Sequence, residues 1–133
     1  MHRAPAVLLA LATALLLPAV AQADTRSVGI KSSGKTVNLD EGDTLKIKLR
    51  ETPGTGYNWR VTDKPASSVL KLKSNVFKMD PQTPEGPSIG GPGTRTLTYK
   101  VKGEGATSLT IKLFPPGRGT KADKKFTLKV KVS

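Results

Sequence analysis

The sequence contains no cysteine, and its one histidine is His2. Beyond residue 2, therefore, Ser-His and Cys-His catalysis, thiol redox chemistry and an ordinary zinc site have no residues to work with. Aromatic residues are few, at 3 Phe, 2 Tyr and 1 Trp. A base-stacking platform for single-stranded nucleic acid has little to build on, and nucleic acid is not an expected partner. No stretch keeps a helical period, and no glycine-rich loop leads into a helix, so nucleotide chemistry is unsupported. Acidic residues number 10 against 22 Lys and Arg. The one acidic cluster, Asp40, Glu41 and Asp43, surrounds Gly42 between two strand-like runs, where carboxylates serve as turn and solvating groups. Hydrolysis by paired carboxylates needs two of them across a cleft, one with a displaced pKa, and nothing in the pattern suggests that. These absences point to a binding protein and not an enzyme, with no catalytic residues, cofactor or metal.

The N-terminus has its own grammar. His2 and Arg3 give a short positive start, residues 4–20 are apolar, and Ala21-Gln22-Ala23 makes a small-x-small cleavage site. This is the pattern of a secretory signal peptide over residues 1–23, with a mature domain at 24–133. The apolar run is short for a membrane span, is interrupted by Pro18, and has no successor. No cysteine stands at the cleavage site to carry a lipid. The expectation is a periplasmic or secreted protein with no membrane association after cleavage. About 110 residues make one domain with a modest core, stabilised without disulfides.

What is abundant is alternation. Leu45, Ile47 and Leu49 alternate with Lys46, Lys48 and Arg50; Leu97, Tyr99 and Val101 with Thr98, Lys100 and Lys102. Leu109, Ile111 and Leu113 alternate with Thr110 and Lys112, and Phe126, Leu128, Val130 and Val132 with Thr127, Lys129 and Lys131. A period of two buries one face of a strand and wets the other. Shorter runs at 28–30, 37–39, 57–61 and 69–72 read the same way. With 13 Gly and 10 Pro as punctuation, seven or eight short strands predict an all-β fold, an immunoglobulin-like sandwich of antiparallel strands or a small barrel. Trp59 is the largest expected core residue. Most lysines fall on outward strand positions, where they wet the sheet and discourage edge pairing.

Three inter-strand segments are rich in Gly, Pro and Thr. The first is Thr52-Pro53-Gly54-Thr55-Gly56-Tyr57, followed by Asn58-Trp59. Pro53 stiffens it, Gly54 and Gly56 let it turn tightly, and Thr55 sits at its tip. The second, residues 80–93, ends in Gly90-Gly91-Pro92-Gly93, a nearly bare backbone able to lie against another chain. The third is Phe114-Pro115-Pro116-Gly117-Arg118-Gly119-Thr120.

The first segment resembles the Asn-Pro-Thr-Thr-Gly-aromatic-x-Trp signature of the chagasin family of cysteine-peptidase inhibitors. Residues 89–94 resemble that family's Gly-x-Gly-Gly loop, and the order of the loops agrees over about residues 28–132. The resemblance implies an immunoglobulin-like sandwich, monomeric, whose three loops at one end plug the cleft of a papain-like cysteine peptidase. It places Thr55 nearest the target's catalytic centre, with Thr52, Pro53, Gly54, Gly56 and Tyr57 around it. Gly90, Gly91, Pro92 and Gly93 would lie along one wall of the cleft, and Phe114, Pro115, Pro116 and Arg118 along the other. The third loop departs from the family's Arg-Pro-aromatic: Pro115 fits, while Phe114 replaces the Arg and Pro116 the aromatic. Either the aromatic has moved to Phe114 or Arg118 supplies the charge from another position; the sequence leaves both open.

A second reading rests on charge. Arg3 is the only charged residue before Asp24, so residues 24–133 carry 21 basic against 10 acidic residues, a net +11. Such a domain could instead bind an acidic polysaccharide, lipid surface or nucleic acid through its lysine faces.

Overall fold

The computed structural model of the protein describes residues 22–81, 90–117 and 121–133. The expected signal segment lies almost wholly outside them. Eight strands follow in order: β1 (Thr25–Val28), β2 (Lys35–Leu39), β3 (Thr44–Glu51), β4 (Asn58–Asp63), β5 (Leu70–Met79), β6 (Gly93–Val101), β7 (Gly105–Phe114) and β8 (Lys124–Val132). They form two four-stranded sheets, β1-β3-β6-β5 and β2-β8-β7-β4, packed face to face. The alternating residues behave as their period requires. Leu45, Ile47 and Leu49 of β3 and Leu97, Tyr99 and Val101 of β6 face Leu109, Ile111 and Leu113 of β7 and Phe126, Leu128, Val130 and Val132 of β8, all buried. Trp59 joins them from β4.

The pairing differs from expectation in one respect. β3–β6, β5–β6, β4–β7 and β7–β8 are antiparallel, but β1–β3 and β2–β8 are parallel. The cause is a change of sheet at mid-height. β1 climbs beside β3, a single 3-10 turn at Ile30–Ser32 carries the chain across, and β2 descends beside β8. One stretch of chain thereby covers an edge of each sheet, and its direction on each is set by the crossing. Ile30 lies in that turn and is exposed, so the apolar run at 28–30 ends at Val28. In β5, alternation also fails. The register shifts between Leu72 and Ser74, and Leu72 and Val76 lie exposed on this edge strand.

The Asp40–Asp43 turn fixes the end of the sandwich where β1 begins. The Asp43 carboxylate accepts the Asp40 amide through Oδ2 and the Asp24 amide through Oδ1, both at 2.9 Å. Those two bonds hold its carboxyl below the ordinary value against the opposing effect of burial. The acidic cluster is thus a structural turn, and among the described residues no group of His, Cys, Asp and Glu could hold a metal ion. At this end lie the β2–β3, β4–β5 and β6–β7 connections; at the other lie β3–β4, β5–β6 and β7–β8, the three segments singled out above.

Phe126 is the largest fully buried side chain and sits across the ladder from the equally buried Ile111. Phe126→Ala should cost about 3–5 kcal/mol, a large part of a typical total of about 5–15 kcal/mol. Urea unfolding followed by Trp59 fluorescence would show the midpoint fall at unchanged slope.

Candidate functional site

At the three-loop end, the inward rows of β3 and β6 do not finish in hydrocarbon. The row Leu45, Ile47, Leu49 continues into Glu51, and the row Val101, Tyr99, Leu97 continues into Arg95. The Glu51 side chain is 1% exposed and takes a two-pronged ion pair from Arg95, Nε to Oε2 and Nη2 to Oε1, each 2.8 Å. Its Oε2 also accepts the backbone N–H of Trp59 at 2.9 Å, across the gap between the sheets. Trp59 returns the link: its indole N–H donates to the Arg50 carbonyl at 2.8 Å. Burial pushes the Glu51 carboxyl up, but the hydrogen bonds from Arg95 and Trp59 outweigh it, and the group stays below its ordinary 4.5. The first loop, residues 52–57, therefore springs from two residues that are bonded to each other.

Within that loop, Pro53–Thr55 form one turn of 3-10 helix. The Thr55 amide donates to the Thr52 carbonyl at 3.0 Å, and the Thr55 hydroxyl donates to the same oxygen at 2.5 Å. Gly56 closes the turn in the left-handed region, φ 80°, its N–H donating to the Pro53 carbonyl. Residues 53–56 are exposed, while Tyr57 is half-buried and packs its ring against the core beneath them.

The neighbouring loops touch this turn on both sides. The Gly54 amide donates to the Gly90 carbonyl at 3.0 Å. A Cβ on Gly54 would sit 2.5 Å from that oxygen, and one on Gly90 would sit 2.6 Å from the Gly54 Cα, so two backbones meet where no side chain fits. On the other flank, a Cβ on Gly56 would lie 2.7 Å from the Pro116 Cβ. The order across the end of the sandwich is second loop, first loop, third loop, with Thr55 between its neighbours.

Not all four residues of 90–93 present bare backbone. Gly90 is half-buried against Gly54 and Pro92 is exposed, but Gly91 and Gly93 are buried. Gly93 pairs with Glu51 on one side and Met79 on the other, and a Cβ there would run into the Lys78 carbonyl and the Phe77 ring. It is a ladder residue with neighbours on both sides. The second loop is held at its base by the Asp80 amide, which donates to the Pro92 carbonyl at 3.0 Å, and by Arg50, which grips the Asp80 carboxylate.

Of the third loop, residues 114–117 are described. Phe114 ends β7 on the outward face, paired with Asn58, and its ring carries the Arg60 guanidinium at 4.1 Å from the centroid. The aromatic stands at Phe114, and a cation comes to it from β4. Pro115 is half-buried, Pro116 and Gly117 are exposed, and Arg118 lies outside the described residues. Arg60 was not singled out from the sequence. Only the pairing of β4 with β7 places it diagonal to Phe114, and that pairing joins strands far apart in the chain.

A family model for Chagasin family peptidase inhibitor I42 matches residues 38–132, which include all three loops. The chain belongs to the chagasin family. Members of this family are inhibitors of peptidases and not enzymes. Amoebiasin-2 of Entamoeba histolytica is 32% identical over 83 residues, 62% of this chain and 63% of that relative, so the match spans under two thirds of its length. Among solved structures, the cysteine protease inhibitor EhICP2 of Entamoeba histolytica superposes with a TM-score of 0.72 at 24% identity, covering 84% of this chain and 98% of that one. PbICP-C, solved in complex with falcipain-2, gives a TM-score of 0.55 at 19% identity over 84% and 92% of the two chains. These likenesses establish the immunoglobulin-like sandwich as the fold of this chagasin-family chain.

Two outcomes are expected. Glu51→Gln strands the Arg95 charge and should cost about 3 kcal/mol, the low end for a buried pair broken on one side. Because the Glu51 carboxyl titrates below 4.5 when folded, its contribution is complete above that pH and fades as pH falls through the lowered native value. Thermal unfolding of the wild type and variant should accordingly differ most at neutral pH and converge on acidification. Gly54→Ala pushes the first two loops apart while leaving the core untouched; its melting temperature should stay within a few degrees while its loop amides lose protection from hydrogen exchange.

Proposed function

We propose that the protein is a reversible inhibitor of papain-like cysteine peptidases, entering the active-site cleft with the strip formed by its three loops. The observation that carries this reading is the position of the Thr55 turn, seated between Gly90 and Pro116 and closed by its own hydrogen bonds. A peptidase cleaves chain held extended along its cleft with the carbonyl exposed to attack. The bonds around Thr55 are wound into a 3-10 turn whose carbonyls at Thr52 and Pro53 already accept hydrogen bonds, so the strip can fill the cleft without presenting a peptide in attack geometry. Stiffness lowers the ordering cost of association, and three loops from one rigid end can bury on the order of 800 Å² per partner. Family membership and the complex of PbICP-C with falcipain-2 support the choice of target class.

The same proposal includes export. The pattern of residues 1–23 supports removal of a signal peptide and a periplasmic or secreted domain acting as a monomer, since the loop end must stay free. Intact mass of the protein recovered from the secreted or periplasmic fraction should correspond to a chain starting at Asp24; a chain retaining residues 1–23 would count against it.

Inhibition itself is tested by titrating residues 24–133 against papain and a cathepsin L-type enzyme. Stoichiometric loss of activity is expected. Thr55→Arg places a long charged side chain at the centre of the strip and should weaken inhibition by about 2 kcal/mol or more, roughly thirtyfold in affinity, while loss of the exposed Thr55 hydroxyl bond lowers the melting temperature only slightly. Equal inhibition by the variant would remove Thr55 from the contact.

A further inference from the structure

The charges of this domain are not spread evenly. Asp24, Asp40, Glu41, Asp43 and Glu104 gather at the end opposite the loops, where they bond to one another's backbones. Near the loops, Glu51 is taken by Arg95 and Asp80 by Arg50, both on sheet β1-β3-β6-β5. On the other sheet the outward face beside the third loop is cationic. Arg60 stands directly across from Lys112, and Lys112 directly across from Lys125, a row of like charges over three adjacent strands. Like charges facing across a ladder destabilise a sheet. Where wetting alone is required, threonine serves, as the next row along, Thr110 facing Thr127, illustrates.

The row also has a shape. Lys112, Lys121, Lys124 and Lys125 line a cavity of about 470 Å³ together with Phe114 and Asp123, at the foot of the third loop. Four lysines and one aspartate contribute to its lining. Arg60 stacks on Phe114, which also lines the cavity, so a further cation stands beside it at the foot of the third loop. Lysines on a concave surface focus potential and draw a complementary anion.

We infer that this hollow receives an acidic patch on the rim of the target peptidase, beside the cleft that the loops enter, and that it selects acidic targets chiefly by speeding association. The inference rests on the inhibitor reading and names the kind of partner that reading requires. Carboxylates at the partner's rim would seat among Lys112, Lys124 and Lys125, relieving the repulsion that the free domain carries.

The test measures association and dissociation rates by stopped flow, with wild type and two double variants, on two papain-like peptidases of opposite net charge. One variant is Lys112→Glu with Lys125→Glu; the control, Lys46→Glu with Lys48→Glu, makes the same charge change on the outer face of the other sheet. Circular dichroism checks that all three are folded. At low salt the Lys112/Lys125 variant should associate with the acidic peptidase about tenfold or more slowly, the control should be affected far less, and the difference should vanish at high salt. Dissociation rates should barely move, and the basic peptidase should show no such loss. If both double variants slow association equally, net charge is responsible and the hollow is not the site. If neither does, the inference fails while inhibition stands. Salt-dependent retention of wild type on a sulfated polysaccharide, lost in the Lys112/Lys125 variant whose peptidase association is unchanged, would overturn it in favour of a polyanion. If wild type inhibits neither enzyme at any salt, the inhibitor reading falls and this inference falls with it.

Discussion

One buried carboxylate decides how the loop end of this domain is built. Glu51 occupies the place where a hydrophobic row should end, and it is affordable only because Arg95 neutralises it and the Trp59 amide takes the remaining capacity of one oxygen. A charge without partners at that depth would cost several kcal/mol. The partners come from three strands and both sheets, so the node can form only when the sandwich is closed and in register. It then ties the two stems of the first loop together with the indole bond to Arg50. The loop inherits its position from the core, not from its own residues.

Rigidity passes outward from that node by contact. The first loop is held by Glu51 and Trp59, the second lies on the first through Gly54 and Gly90, and the third through Gly56 and Pro116. Two of these contacts exclude a Cβ, which explains why the segment needs Gly on either side of Thr55. Threonine at the tip is equally constrained, since its hydroxyl is committed to the Thr52 carbonyl. The result is a surface whose shape exists before a partner arrives, as suits recognition by fit with little ordering cost.

The strands were largely legible in the sequence, because burial of one face writes a period of two into each of them. Seven of the eight runs overlap strands well, the run at 28–30 meets β1 only at Val28, and the four strongest supply most of the buried core. What misled was edge structure: Ile30 and Leu72 read as buried but are exposed, Ile30 in the turn where the chain changes sheet and Leu72 on the edge strand β5, just before its register shifts. The parallel edge pairs were also illegible, because direction within a sheet follows from where the chain crosses and not from residue type. In the site, the loops could be located by composition and order. The Gly54–Gly90 approach, the burial of Gly93, the Glu51–Arg95 pair and the Arg60–Phe114 stack could not, since each joins residues brought together only by strand pairing.

The turn that binds Asp24 through Asp43 has a bearing on how the domain can be carried. Its counterpart at the other terminus is the Ser133 amide, bonded to the Leu39 carbonyl. Both ends of the folded unit thus leave from the pole remote from the loops. A tether or further copy of the domain joined at either end would attach at that pole and not at the strip around Thr55. A fold wired in this way can be hung from a wall, or strung in series, with every working end pointing outward.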